Sequence, residues 1–227
     1  MNSDPVRIII ILLIATFSVI LHELAHGVVA YFLGDKTAKE AGRLTLNPIK
    51  HIDPIMSILV PVVLYMLHAP VFGGAKPVPV SYRNLKWREW GMALVAIAGP
   101  LTNFLIALIA FLIGYFSGIL PSNPSLFFVD LIYGITENGL PSFIFEGVIY
   151  LNLGFMLFNL IPIPPLDGSR VLYAIAPDSV RGIMDQMEKY GFIIVYALIL
   201  IFGEFFSGLM INGMTGIIEM FYHLVGQ

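Results

Sequence analysis

Five stretches of this sequence are apolar for about as long as a bilayer demands. A helix needs roughly 20 consecutive apolar residues to cross ~30 Å of hydrocarbon, and residues 6–33, 54–72, 90–116, 144–163 and 190–206 approach or exceed that length. Hydrocarbon offers no hydrogen bonds, so every backbone group in such a stretch must find a partner within the protein, and helices do this most simply. Composition agrees, because 58% of the 227 residues are hydrophobic and 12% charged, against about 45–50% and about 25% in soluble domains. A water-soluble enzyme, a secreted binding module and a nucleic-acid binder are thereby set aside. The expected fold is an all-α polytopic membrane protein, a bundle of about four to six transmembrane helices with a small extended or re-entrant β element. Residues 1–227 are expected to form one membrane-embedded domain, with a core at 8–175 and a C-terminal span and interfacial tail at 190–227.

The stretch 6–33 follows a single basic residue, Arg7, and lacks a small-x-small cleavage site, so it is expected to be a retained span rather than a signal peptide. The 12 Lys and Arg residues fall in clusters. Four lie in 34–53, four in 73–88 and three at Arg170, Arg181 and Lys189, while none lies in the 81 residues from 89 to 169. The positive-inside rule places the clusters in the cytoplasm and the loop near 121–141 outside, in a multi-pass protein of the cell membrane. With both early clusters inside, 54–72 either enters and returns or is a plain span beside one misplaced cluster; Pro54 and Pro61 suit a broken element.

The first apolar stretch contains His22-Glu23-Leu24-Ala25-His26. Histidines at i and i+4 share one face of a helix, close enough to hold one tetrahedral ion. Glu23 then lies beside the open position, where it can take a proton from water. Ionisable groups in hydrocarbon cost on the order of 2–3 kcal/mol each even on the lenient scale, so a metal site explains them better than a charged helix face. The chain has no cysteine, so any metal must sit on His, Asp or Glu.

Two histidines leave a catalytic zinc one protein ligand short. His51, His68 and His223 lie in loops or at segment ends, and Glu204 lies near the end of the last span, where an interfacial charge is ordinary. Asp167 stands just after Pro162, Pro164 and Pro165, which end the preceding helix, and before Gly168, which relieves the backbone. It reads either as an Asx cap of a helix-ending turn or as the third ligand. Depth favours the ligand: His26 is about 10 Å from the cytoplasmic end of its span at 1.5 Å per residue, and Asp167 lies just beyond the cytoplasmic end of 144–163.

His22-Glu-Leu-Ala-His26, Phe72-Gly-Gly-Ala-Lys-Pro-Val-Pro-Val80, Ala98-Gly-Pro-Leu-Thr-Asn103 and Asn159-Leu-Ile-Pro-Ile-Pro-Pro-Leu-Asp-Gly168 resemble, in their order along the chain, the site-2 protease family of intramembrane zinc metalloproteases. The resemblance covers roughly residues 8–175. It implies one Zn²⁺ per chain on His22, His26 and Asp167, with Glu23 activating water and Asn159 holding substrate. It implies single-span membrane proteins as substrates, while the depths of His26 and Asp167 given above put the expected active site in the cytoplasmic half of the bilayer. No inserted PDZ domain fits between Phe116 and Ile144, and no CBS domain is expected after the last span.

The alternation of Pro and Val at 75–80 suits an exposed edge strand that could pair with an unwound substrate, or else a proline-rich turn. Gly99 and Pro100 permit close helix packing; Asn103 bonds across helices or touches substrate. The 17 Phe read as lipid-facing bulk. The rival function is a transporter or metal-ion permease using His22, Glu23, His26 and Asp167 as a transit site, although no inverted repeat is apparent.

Overall fold

The computed structural model describes residues 5–66, 74–123, 127 and 139–227. The end of the 54–72 element, His68, the first two residues of the 72–80 motif and most of the 121–141 loop lie outside them. The described residues are helical, with helices α1 (Pro5–Phe32), α2 (Thr37–Glu40), α3 (Val60–Met66), α4 (Arg88–Phe116), α5 (Gly139–Asn159), α6 (Asp167–Ile175), α7 (Asp178–Lys189) and α8 (Gly191–Leu224). Among the described residues four helices are long and apolar enough to cross a membrane: Pro5–Phe32, Arg88–Phe116, Gly139–Asn159 and Ile193–Leu224. α8 consists of two helices joined across a kink at the non-helical Phe202, the second running on to Leu224.

The chain divides into two compact units. One comprises residues 1–18, 100–159 and 204–227. Its core holds Phe111, Ile149, Leu153, Ile218, Phe221 and Tyr222, each at most 1% exposed. Phe111 meets Tyr222 edge-on at 4.9 Å and Phe221 at 5.4 Å, arrangements favoured by the ring quadrupoles. Phenylalanine is therefore partly bundle interior, not only lipid-facing bulk. Three buried polar residues are linked in series: Asn103 Nδ2 donates to Asn152 Oδ1 at 2.7 Å, and Asn152 Nδ2 donates to Ser18 Oγ at 2.9 Å. Such bonds fasten α1, α4 and α5 where apolar contact alone gives no preference over lipid.

The second unit comprises residues 19–99 and 160–203. Here α1 ends on Gly34 at φ +105°, with Asp35 N–H bonded to Ala30 O at 2.9 Å and Gly34 N–H to Tyr31 O at 3.1 Å. Only glycine adopts that left-handed angle without strain. The turn delivers Asp35, wholly buried, into a ring of donors: Thr37 N and Oγ1, Ser81 N at 2.6 Å and Asn84 Nδ2 at 3.1 Å. Further along, Asp53 accepts from Ile55 and Met56 N–H and opens a π-helical turn, Pro54–Leu59, that continues directly into α3, so the described part of 54–72 is one helix with a π-helical start.

The β element expected at 75–80 is not formed, and the described residues contain no strand. Prolines 77 and 79 have no N–H, and the remaining donors nearby go to scattered partners. Gly74 N–H bonds to Met56 O, Lys76 N–H to His51 O, Val78 N–H to a Glu23 carboxylate oxygen and Ser81 N–H to Asp35. Lys76 O accepts from Arg43. The segment is thus pinned point by point to loops and to α1, which leaves no ladder for a neighbouring strand.

Burial pushes the Asp35 carboxyl pKa up, but the hydrogen bonds from Thr37, Ser81 and Asn84 outweigh it and hold the group below its usual 3.8. A folded-state pKa below the unfolded one gives stability that is complete above about pH 4 and is lost as pH falls through the folded value. Thermal unfolding in detergent is therefore expected to show a midpoint that falls below pH 4 in the wild type. Asp35→Asn should have a lower midpoint at pH 7 and a shallower acid fall.

Candidate functional site

Helix α1 brings His22 and His26 one turn apart, 6% and 9% exposed, with rings edge-on at 4.6 Å and Nε2 atoms 3.0 Å apart. His26 Nδ1 lies 2.7 Å from the carbonyl oxygen of Val95 in α4. A carbonyl can only accept, so Nδ1 carries the proton and Nε2 presents its lone pair to the site, the arrangement that orients metal-binding imidazoles. One turn along α4 from Val95 stands Gly99. A Cβ there would lie 2.5 Å and 2.6 Å from His22 Cε1 and Nε2 and 2.6 Å from His26 Cε1. The missing side chain is the space the two rings occupy.

Asp167 enters from the first turn of α6, after the proline-rich turn ending at its N-cap residue Leu166. Its Oδ2 is 3.1 Å from His22 Nε2 and 3.4 Å from His26 Nε2. Gly168 has the close-approach requirement here, not a conformational one. A Cβ at 168 would stand 2.2 Å from Leu160 O and 2.8 Å from Ile161 O, so only glycine lets the turn fold back on α6.

The three donor atoms form a triangle with sides of 3.0, 3.1 and 3.4 Å. Tetrahedral zinc with bonds near 2.0–2.2 Å holds its ligand atoms about 3.3 Å from one another, so the spacing fits. Asp167 Oδ2 is buried and makes no hydrogen bond of good geometry, as expected of an atom whose partner is a cation.

Glu23 stands beside the pair, its ligand oxygen and the ligand nitrogens of the two histidine rings all within 4.8 Å of one another. By distance either carboxylate could be the third ligand. They differ in their partners: Glu23 Oε2 accepts from Val78 N–H at 2.7 Å, while Asp167 Oδ2 has no such partner.

The other sequence candidates lie elsewhere. Asn103 is fully buried against Asn152 in the first unit. Asn159, the last residue of α5 in that unit, is half-buried and donates to Phe155 O at 3.0 Å. His51 is buried with Nε2 2.9 Å from Thr45 O, and His223 and Glu204 are exposed. Sequence reasoning missed the Val95 carbonyl and the Val78 amide, and took Gly99 for general helix packing. Gly99→Ala is expected to displace both imidazoles and lower zinc retention at least tenfold. Metal titration of the purified protein, with folding checked by circular dichroism, measures this.

The profile of Peptidase family M50 matches residues 9–202. The candidate zinc metalloprotease YwhC of Bacillus subtilis is 41% identical over 220 residues, covering 94% of this chain and 90% of its own. The candidate zinc metalloproteases Rip2 of Mycolicibacterium smegmatis and Mycobacterium tuberculosis are 29% and 27% identical. The matches cover 81% and 84% of this chain and 63% and 66% of theirs. No solved structure matches significantly. A family profile spanning most of the sequence and a relative alike from end to end make this chain a member of Peptidase family M50.

Proposed function

We propose that the protein is a zinc-dependent intramembrane endopeptidase that cleaves the transmembrane segments of other membrane proteins, as in regulated intramembrane proteolysis. The observation that carries this reading is the donor triangle of His22, His26 and Asp167 with the Glu23 carboxylate beside it. Membership in a peptidase family leaves the transporter alternative without support. The basic clusters at 34–53 and 73–88 support a multi-pass protein of the cell membrane with the site in the cytoplasmic half of the bilayer, a short path for water.

His22 and His26 Nε2 and Asp167 Oδ2 would hold one zinc ion. Zinc, when bound, acidifies water and polarises the scissile carbonyl. Glu23 accepts the water proton and returns it to the leaving amine. The Val78 amide holds one Glu23 oxygen in place and leaves the other for the proton. The Val95 carbonyl fixes the His26 tautomer throughout. A peptide unwound for cutting has lost its helical hydrogen bonds, and the Asn159 amide, with both donors and an acceptor, suits it as a backbone partner. Asn103 has the weaker case for substrate contact, being committed to Asn152.

Glu23→Gln should keep its zinc and lose about 10²- to 10⁴-fold in peptide cleavage, the usual loss with a general base. Cleavage within a few-fold of wild type would make Glu23 structural. Asp167→Asn should lower zinc affinity itself, and unchanged affinity would move the third ligand elsewhere. Asn159→Ala should keep zinc and raise KM more than it lowers kcat. Substrate helices carrying Gly, Pro or Asn are expected to be cut faster than uniform Leu/Ala helices, because they cost less to unwind.

A further inference from the structure

Beside the donor triangle lies a recess of about 320 Å³ lined by side chains that carry no hydrogen-bonding group. Gly168 and Leu172 form its inner wall, and the exposed residues Ile97, Leu160, Pro162 and Ile175 form its rim. Two of its lining residues are close in sequence to the candidate metal centre. Gly168 follows Asp167 directly, so their Cα atoms are about 3.8 Å apart. Ile97 lies two residues before Gly99, whose missing Cβ makes room for both imidazoles.

We propose that this recess receives one apolar side chain of the substrate, from a residue flanking the scissile bond, and selects leucine- or phenylalanine-sized residues there. The proposal rests on the endopeptidase reading above. A peptide carbonyl brought to the donor triangle places its flanking side chains within one or two residue lengths of it, and the recess is lined by Gly168, the residue after Asp167. The volume is near the lower end of ligand pockets, about 300–1,000 Å³, so it admits a side chain and not a second helix. Its lining rewards carbon and leaves any polar group without a partner. Glycine at 168 keeps this wall bare, because a Cβ there would lie 2.2 Å from the Leu160 carbonyl oxygen.

The test uses the full-length protein in proteoliposomes and single-span substrates that differ only at the residues flanking the cut, carrying Ala, Leu, Phe or Asp. The wild type is expected to cut the Leu and Phe forms at least tenfold faster than the Ala and Asp forms, within the range that pocket contacts supply. Leu172→Trp, which fills the recess, should slow the Leu and Phe forms at least tenfold, change the Ala form less than threefold and leave zinc content as it was. Leu172→Ala, which cannot overfill the site, should speed a Trp form relative to Leu. Equal effects of both variants on all substrates overturn the proposal.

A benzophenone amino acid replacing Leu172 in the Glu23→Gln background gives a second, activity-free readout. Crosslinks to the substrate next to its cleavage site are expected, whereas crosslinks to lipid alone overturn the proposal. Should Glu23→Gln cut as fast as wild type, the catalytic reading falls while the crosslink still decides what the recess holds.

Discussion

The hydrogen bond from His26 Nδ1 to the Val95 carbonyl, 2.7 Å long, is the contact on which the rest of the site depends. An imidazole in an apolar helix has two nitrogens to satisfy, and a buried polar atom without a partner is costly. By consuming the proton on one nitrogen, the Val95 carbonyl leaves the other as a lone pair that points at His22 and Asp167. That bond also sets the register of α1 against α4. With Val95 opposite His26, the residue one turn further on must have no side chain, and it is Gly99.

The same economy governs the polar loops. Residues 34–53 and 74–86 form no sheet, yet their backbone donors are used by Asp35, His51, Met56 and Glu23. Carboxylates serve as hubs because each oxygen can accept more than one donor. Asp35 gathers Thr37, Ser81 and Asn84, residues up to 49 positions away. Proline at 77 and 79 reduces the donors that need partners, so an irregular segment survives next to a dry site.

Much of this was legible before any coordinates. His22, Glu23 and His26 declare themselves because helical spacing is local, and Asp167 because three prolines mark where its helix must break. The four long helices were readable from length and apolarity alone. Val95 and Val78 were not, since they act through backbone groups that every residue carries. The strand expected at 75–80 failed because alternating Pro and Val specifies an extended chain but says nothing of who takes its donors. Phe111 and Phe221 were misread as lipid-facing because bundle interior and lipid are equally apolar, and composition cannot tell them apart.

The bond between Glu23 and the Val78 amide has a consequence for genetics. Val78 belongs to a segment held by Arg43 through Lys76 O, by the His51 carbonyl and by Asp35 through Ser81. None of these three belongs to the donor triangle, yet each contributes to where the carboxylate of Glu23 stands. A search for inactive alleles would therefore recover loop residues alongside the metal ligands, and suppressors of the loop alleles would map to the segment around Val78.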